Sequence, residues 1–199
     1  MAPMEESAAT AETIPAADEA RLRTATSVMV AGVVLISVAI LFLWFAPGSY
    51  QILLALHVLA VVIWVGGDVT LTTLGIVFER KGDGEALAQL GKLGGWIGPR
   101  LYTPVLFAAF GLGVALVEKG HWGWNHFWID FAIAGWGVTA TLGISFIGPE
   151  LGRIGALAAE LGPDSPVVGR RVKRLFTIFR GQTVLLMLIV IDMVAKPSF

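Results

Sequence analysis

Long uncharged hydrophobic runs alternate along this chain with shorter charged connections, and this pattern predicts membrane-spanning helices. A bilayer core of about 30 Å needs roughly 20 helical residues. Five runs reach or approach that length, so we expect spans at about residues 24–46, 50–78, 101–117, 126–147 and 175–195. The predicted fold class is all-α, a polytopic membrane protein built as a bundle of five transmembrane helices.

The fifth span is unusual because charged residues interrupt it. The uncharged stretch between Arg180 and Asp192 is too short to cross a bilayer. A spanning helix over residues 175–195 therefore carries both charges.

The first 22 residues differ in composition from the rest of the chain. They are rich in Ala and Glu and contain almost no large apolar side chains. Such a segment cannot bury enough apolar surface to offset its ordering entropy. We predict a disordered cytoplasmic tail over residues 1–22, followed by a five-helix transmembrane domain over residues 23–199.

Lys and Arg are distributed unevenly between the two sides of the predicted bundle. Twelve of the fourteen lie in the tail, in the second-to-third connection, or in and just after the fourth-to-fifth connection. Only Lys119 and Lys196 lie on the opposite side. Because cytoplasmic loops carry the excess of positive residues, the N-terminus is expected inside and the C-terminus outside.

Composition agrees with a membrane protein and excludes several kinds of chemistry. Hydrophobic residues make up 56% of the chain and charged residues 15%, where about 25% is usual. The absence of cysteine excludes disulfides and thiolate metal sites. With a formal net charge of -1, the chain lacks the excess of positive charge that is typical of nucleic-acid-binding proteins. The expected partner is the lipid bilayer; other membrane subunits and the oligomeric state stay open.

Two ionisable residues of opposite charge lie at similar depth by residue count, Asp68 in the second span and Arg180 in the fifth. Because either charge alone would be uncompensated in the membrane, we predict an intramembrane ion pair between them. A purely structural pair is favoured, and the alternative is a proton or ion relay.

One face of the second span combines polar and aromatic residues at helical spacing: His57, Val61, Trp64, Asp68 and Thr72. We expect this face to line the bundle interior. A histidine there must satisfy both ring nitrogens, either by ligating haem iron or a metal, or by hydrogen bonding to a neighbouring helix. Spacing alone does not choose between them.

A second histidine, His126, lies at the start of the fourth span, four residues before Asp130. The carboxylate of Asp130 is spaced to orient its imidazole as a metal ligand. The alternative, slightly favoured, is an interfacial residue within an aromatic belt.

Three motifs in the same order resemble a group of bacterial membrane proteins. They are the Leu-His and Trp-x-Gly-Gly pattern within residues 56–67, the Arg-Leu-x-x-Pro pattern from Arg100 to Pro104 with Gly111, and the Lys-Pro ending at Lys196. The chain most resembles a family of predicted integral membrane proteins of unknown function. It is more distantly similar to the HemJ-type protoporphyrinogen oxidases and the CopD-type copper-resistance membrane domain. The resemblance covers residues 50–199 and implies a bacterial cytoplasmic (inner) membrane.

The resemblance also implies a cofactor, because the histidine of this helix is associated with b-type haem in the oxidase family. It therefore implies haem b with His57 as axial ligand. His126 is the candidate second ligand, to haem iron or another metal. The remaining candidate cofactor-binding residues are Trp64, Asp68, Arg100 and Arg180. An Arg near the haem edge would pair with a carboxylate.

Three functions are thus expected as alternatives. The first is a haem-b-associated redox protein. The second is a non-enzymatic membrane subunit or scaffold, whose buried polar residues fix helix register. The third is a copper or small-ion permease that uses His57 with Met187 or Met193 as soft ligands. The oxidase pattern Asn-Glu-x-Pro is replaced here by Gly181-Gln182-Thr183, so oxidase activity itself is not implied.

Overall fold

The computed structural model describes residues 16–163 and 165–197, and within them every regular element is helical. The α-helices are α1 (Ala16–Phe45), α2 (Tyr50–Lys81), α3 (Gly84–Ile97), α4 (Thr103–Lys119), α5 (Phe127–Leu142), α6 (Gly148–Leu161) and α7 (Pro166–Ala195). One π-helical turn, Gly98–Tyr102, joins α3 to α4, and a second, Gly143–Ile147, joins α5 to α6.

Five helical segments of the described chain are long and apolar enough to cross a membrane. They are Thr26–Phe45, Tyr50–Lys81, Gly84–Lys119, Phe127–Leu161 and Pro166–Ala195. The all-α class is therefore confirmed for the described residues, and the number of helices long and apolar enough to span equals the number predicted. This length and hydropathy indicate a multi-pass membrane protein.

The helix that contains the first span begins before its hydrophobic run. Because α1 starts at Ala16, residues 16–22 of the predicted tail are helical. The remainder of that tail, residues 1–15, lies outside the described residues. The exposed face of α1 consists of large apolar side chains such as Leu35 and Phe42, which suits contact with lipid.

The helices that contain the third and fourth spans are longer than the predicted spans, because each continues without a break through a π-helical turn into a further helix. Pro99 lies in the first of these turns, and Pro149 lies at the start of α6, directly after the second. A proline lacks the N–H that an α-helix interior requires, but it is tolerated at irregular turns and first turns of helices. The helix that contains the predicted third span therefore begins before residue 101, at Gly84.

The centre of the bundle is the contact between α2 and α4. Small side chains let the two backbones approach closely, with Ala60 on α2 facing the α4 residues Ala108, Ala109 and Ala115. Leu53 of α2 is fully buried in this contact. Helix α1 packs on the outside of it through Ile36, Ile40 and their neighbours.

Helix α7 packs against both α2 and α5, whereas α4 and α5 make few contacts with each other. At the α2–α7 contact, the Phe176 ring covers Gly75, and a Cβ there would collide with the ring. The loose approach of α4 to α5 leaves a space between α2, α4, α5 and α7, which contains the candidate site.

The bundle has a charged end, where α3, α6 and the first turns of α7 pack together. Glu150 is buried and accepts a hydrogen bond from Arg171 at 2.7 Å, with Arg153 at 3.6 Å. Lys173 and Arg174 also lie in the first turns of α7.

Candidate functional site

A largely apolar cavity of about 440 Å³ lies between α2, α4, α5 and α7. This volume falls within the range of about 300–1,000 Å³ that is typical of ligand sites. The lining residues with polar or aromatic chemistry include His57, Trp64, Trp122, Trp128, Trp136 and Lys196. The prediction that the His57 face of α2 lines the bundle interior agrees with this geometry.

His57 is held in a defined orientation by the neighbouring helix. Its Nδ1 lies 2.9 Å from the carbonyl oxygen of Ala109 on α4. Because a carbonyl only accepts, Nδ1 carries the proton, and in the neutral ring Nε2 keeps its lone pair. Gly113 leaves room for the ring, since a Cβ there would lie 3.3 Å from its Cε1. Ligating histidines are oriented in this way, with one nitrogen donating to a carbonyl and the other free to bind.

Aromatic side chains form the walls of the cavity. Trp136 of α5 stacks on Phe110 of α4 with ring centroids 4.1 Å apart, and its Nε1 donates to the carbonyl of Leu106 at 3.0 Å. Trp64 lines the cavity from α2, two turns beyond His57. The indole N–H of Trp136 is therefore satisfied inside the bundle, and Trp64 and Trp136 both contribute to the cavity wall.

Among the described residues, Lys196 is the Lys or Arg that lines this cavity. It ends α7 in a left-handed conformation with φ 44, and its Nζ lies 4.0 Å from the ring centroid of Trp122 and 5.4 Å from that of Trp128. Cation–π contact of this kind holds an ammonium group at a fixed place. The sequence placed Lys196 in the Lys-Pro ending and among the outer-side charges, but did not single it out as a site residue.

His126 lies close to this aromatic cluster but does not line the cavity. Its Nε2 is 2.8 Å from the carbonyl oxygen of Trp122, and its ring stacks on Trp128 with a centroid distance of 6.2 Å. The side chain is exposed, as the aromatic-belt interpretation expects. Among the described residues no group of three His, Cys, Asp or Glu forms a metal site. A ligand role for His126 stays a prediction.

The two arginines predicted to pair with cofactor carboxylates do not line the cavity. Arg100 donates to the carbonyl of Trp96 at 3.0 Å and lies over the Trp96 ring at 4.8 Å. Arg180 forms an ion pair with Glu79, near the charged end of the bundle. The cation beside the cavity is instead Lys196, so the prediction for Arg100 and Arg180 is not supported by their positions.

A second polar cluster connects α2 to α7 deeper in the bundle. The Oδ1 atom of Asp68 accepts a hydrogen bond from Gln182 Nε2 at 3.1 Å, and its Oδ2 contacts Thr183 Oγ1 at 2.5 Å. Thr72 Oγ1 lies 3.0 Å from the same Thr183 oxygen. Asp68, Thr72 and Gln182 are all buried.

The predicted ion pair between Asp68 and Arg180 is wrong. The α7 residues that reach Asp68 are Gln182 and Thr183, and the Arg180 side chain extends instead toward the charged end, where it reaches Glu79. Long basic side chains extend in this manner to more polar surroundings. Gln182 and Thr183 were visible in the sequence as adjacent polar residues within a span, but residue counting gave priority to formal charge.

Comparisons with protein-family models, with curated proteins and with solved structures found no match to this chain. The similarity to the haem-associated and copper-associated families therefore stays a prediction. Function is inferred below from the cavity, its histidine and its cation.

Proposed function

We propose that this protein is a multi-pass membrane protein that binds haem b in the cavity, with Nε2 of His57 as the axial ligand. The observation that carries this proposal is the hydrogen bonding of the two nitrogens of the His57 ring. Its Nδ1 is fixed by the Ala109 carbonyl, and no described residue hydrogen bonds to its Nε2. An oriented imidazole with a free lone pair, in an apolar cavity, suits iron ligation.

The remainder of the cavity fits the same group. Its apolar and aromatic walls suit a porphyrin ring, and Lys196 supplies a positive charge for a propionate. Trp64 and Trp136 offer flat surfaces against which a ring system packs. When bound, haem would supply one-electron redox chemistry, while the chain binds, orients and shields it from water.

The first experiment is a reduced-minus-oxidised absorption spectrum of the purified, haem-supplemented protein. We expect a b-type signal that is lost in His57→Ala. His126→Ala is the matched control, because that exposed ring lies outside the cavity lining and its loss should leave the signal in place. A featureless spectrum from folded wild-type protein would exclude the haem proposal.

A copper or small-ion permease is the second candidate, and one observation favours it. Met193 lines the same cavity as His57, which places a thioether and an imidazole on one surface. Met187 is absent from that lining, so only one of the two predicted methionines contributes. Met193→Leu separates the candidates: copper binding would fall, whereas haem binding would persist. If neither ligand binds, the scaffold function becomes the leading alternative.

We also propose the orientation that the charge distribution favours, with the N-terminus in the cytoplasm and the C-terminus outside a bacterial inner membrane. The charged end, which contains Glu79, Arg171 and Arg180, would then face the cytoplasm. The cavity and Lys196 would lie toward the outer side.

A further inference from the structure

If the Asp68 carboxyl is ionised, the buried cluster around it contains more hydrogen-bond contacts than its hydroxyl groups have protons to donate. Thr183 Oγ1 contacts three oxygens: Asp68 Oδ2 at 2.5 Å, Thr72 Oγ1 at 3.0 Å and the carbonyl of Phe179 at 3.0 Å. A hydroxyl group donates one proton and accepts two. Both the Phe179 carbonyl and an ionised Asp68 could only accept, so Thr183 would have to donate to both.

A proton on Oδ2 of Asp68 resolves this conflict. Asp68 then donates to Thr183, Thr183 donates to the Phe179 carbonyl, and Thr72 donates to Thr183. Thr183 thus donates once and accepts twice, which matches its full capacity. The Nε2 group of Gln182 still donates to the other Asp68 oxygen. Every contact in the cluster then has a donor and an acceptor.

The groups that surround Asp68 also favour a protonated, neutral carboxyl. The groups that face it are Thr72 on its own helix and Gln182 and Thr183 on α7, while Tyr102 of the first π-helical turn packs on the adjacent Gly67. None of them is a cation, and among the described residues no ion pair includes Asp68. An ionised carboxylate buried without a cation costs several kcal/mol, whereas a neutral carboxyl with satisfied hydrogen bonds does not.

We propose that Asp68 is a proton-binding site within the membrane, a neutral carboxyl in this conformation whose proton exchanges with water that enters by way of the cavity. Trp64, one helical turn from Asp68, lines that cavity. The Oε1 atom of Gln182 is buried and has no hydrogen-bond partner among the described residues. It is an unused acceptor on the same amide group that donates to Asp68. This proposal does not depend on haem.

Infrared spectroscopy of the full-length protein in lipid nanodiscs tests this proposal. At neutral pH, the wild-type-minus-Asp68→Asn difference spectrum should contain the C=O stretch of a protonated carboxyl. Transfer to D₂O should shift this band to lower frequency. Asp68→Asn is a conservative variant, because its Nδ2 can donate to Thr183 and its Oδ1 can accept from Gln182. We therefore expect it to fold with near wild-type stability.

Asp192→Asn is the matched control, since Asp192 is also buried and its Oδ2 has no hydrogen-bond partner among the described residues. Its difference spectrum reports any contribution from a second carboxyl, and the Asp68 band should persist in this variant. A carboxylate signal for Asp68 at neutral pH would overturn the proposal, and sensitivity of that signal to added Na⁺ would identify a metal-cation site instead. A carboxyl band that does not shift in D₂O would also overturn it, by showing a sealed structural proton.

Discussion

At the scale of the residue, Gly75 shows how closely α2 approaches α7. Because an added Cβ would collide with the Phe176 ring, Gly75→Ala should lower the free energy of unfolding by about 1–3 kcal/mol, as overpacking usually does. The measurement is unfolding in detergent, followed by tryptophan fluorescence. Gly66→Ala on the same helix is the control, since nothing lies within 4 Å of its added Cβ. Equal stability of the two variants would contradict the packing of Phe176 on Gly75.

Lys196 provides a residue-scale test that rests on the haem proposal. Its ammonium group lines the cavity and can form a charge-assisted contact with a propionate, a type of bond that contributes about 1.5–3 kcal/mol. Lys196→Gln should therefore weaken haem binding about 10- to 100-fold, measured by titration of the purified protein. Lys92→Gln, which alters an exposed lysine of α3, should leave the affinity unchanged. Unaltered affinity in Lys196→Gln would show that the propionates lie elsewhere.

Individual residues also show which parts of the candidate site the sequence predicts and which parts it does not. The spacing of His57 and Trp64 identified the face that lines the cavity, because helical periodicity is a local property. The partners of Asp68 depend on the rotation and depth of α7 relative to α2, which no local pattern encodes. Counting residues placed Arg180 at the depth of Asp68 and did not show that its side chain extends toward Glu79.

At the scale of the element, the link between α2 and α7 can be measured as a coupling energy. A double-mutant cycle of Glu79→Ala and Arg180→Ala should give a coupling of about 0.5–1 kcal/mol, because both side chains are partly exposed. The matched cycle of Asp68→Asn with Arg180→Ala should be additive within about 0.5 kcal/mol. Coupling of Arg180 to Asp68 rather than to Glu79 would instead support the ion pair predicted from the sequence.

Helix boundaries followed from hydrophobic runs only where hydrophobicity and helical structure end together. In the third and fourth spans, hydrophobicity and helical structure end at different residues, because α3 and α6 continue the helices beyond the apolar region. The dipeptides Gly98-Pro99 and Gly148-Pro149 accompany π-helical turns within continuous helices. A proline predicts a disturbed hydrogen-bond ladder, but tertiary packing decides whether the helix ends there.

At the scale of the whole molecule, the described chain has two ends of different chemistry. One end contains the paired charges of Glu79 with Arg180 and of Glu150 with Arg171. The other contains tryptophans, Lys196 and the cavity with His57. Asp68 lies between them along α2. This division suggests that any ligand enters from the aromatic end, and that the charged end anchors the bundle at the opposite surface.

The orientation of these two ends can be measured directly, because the chain contains no native cysteine. Single substitutions Glu85→Cys and Asn125→Cys would place a thiol at exposed positions on opposite ends. With the N-terminus inside, a membrane-impermeant maleimide should label Asn125→Cys in cells whose inner membrane is intact. It should label Glu85→Cys only after that membrane is permeabilised, since Lys and Arg concentrate on its side of the bundle. Labelling of both after permeabilisation controls for thiol reactivity, and the reverse pattern in intact cells would invert the proposed orientation.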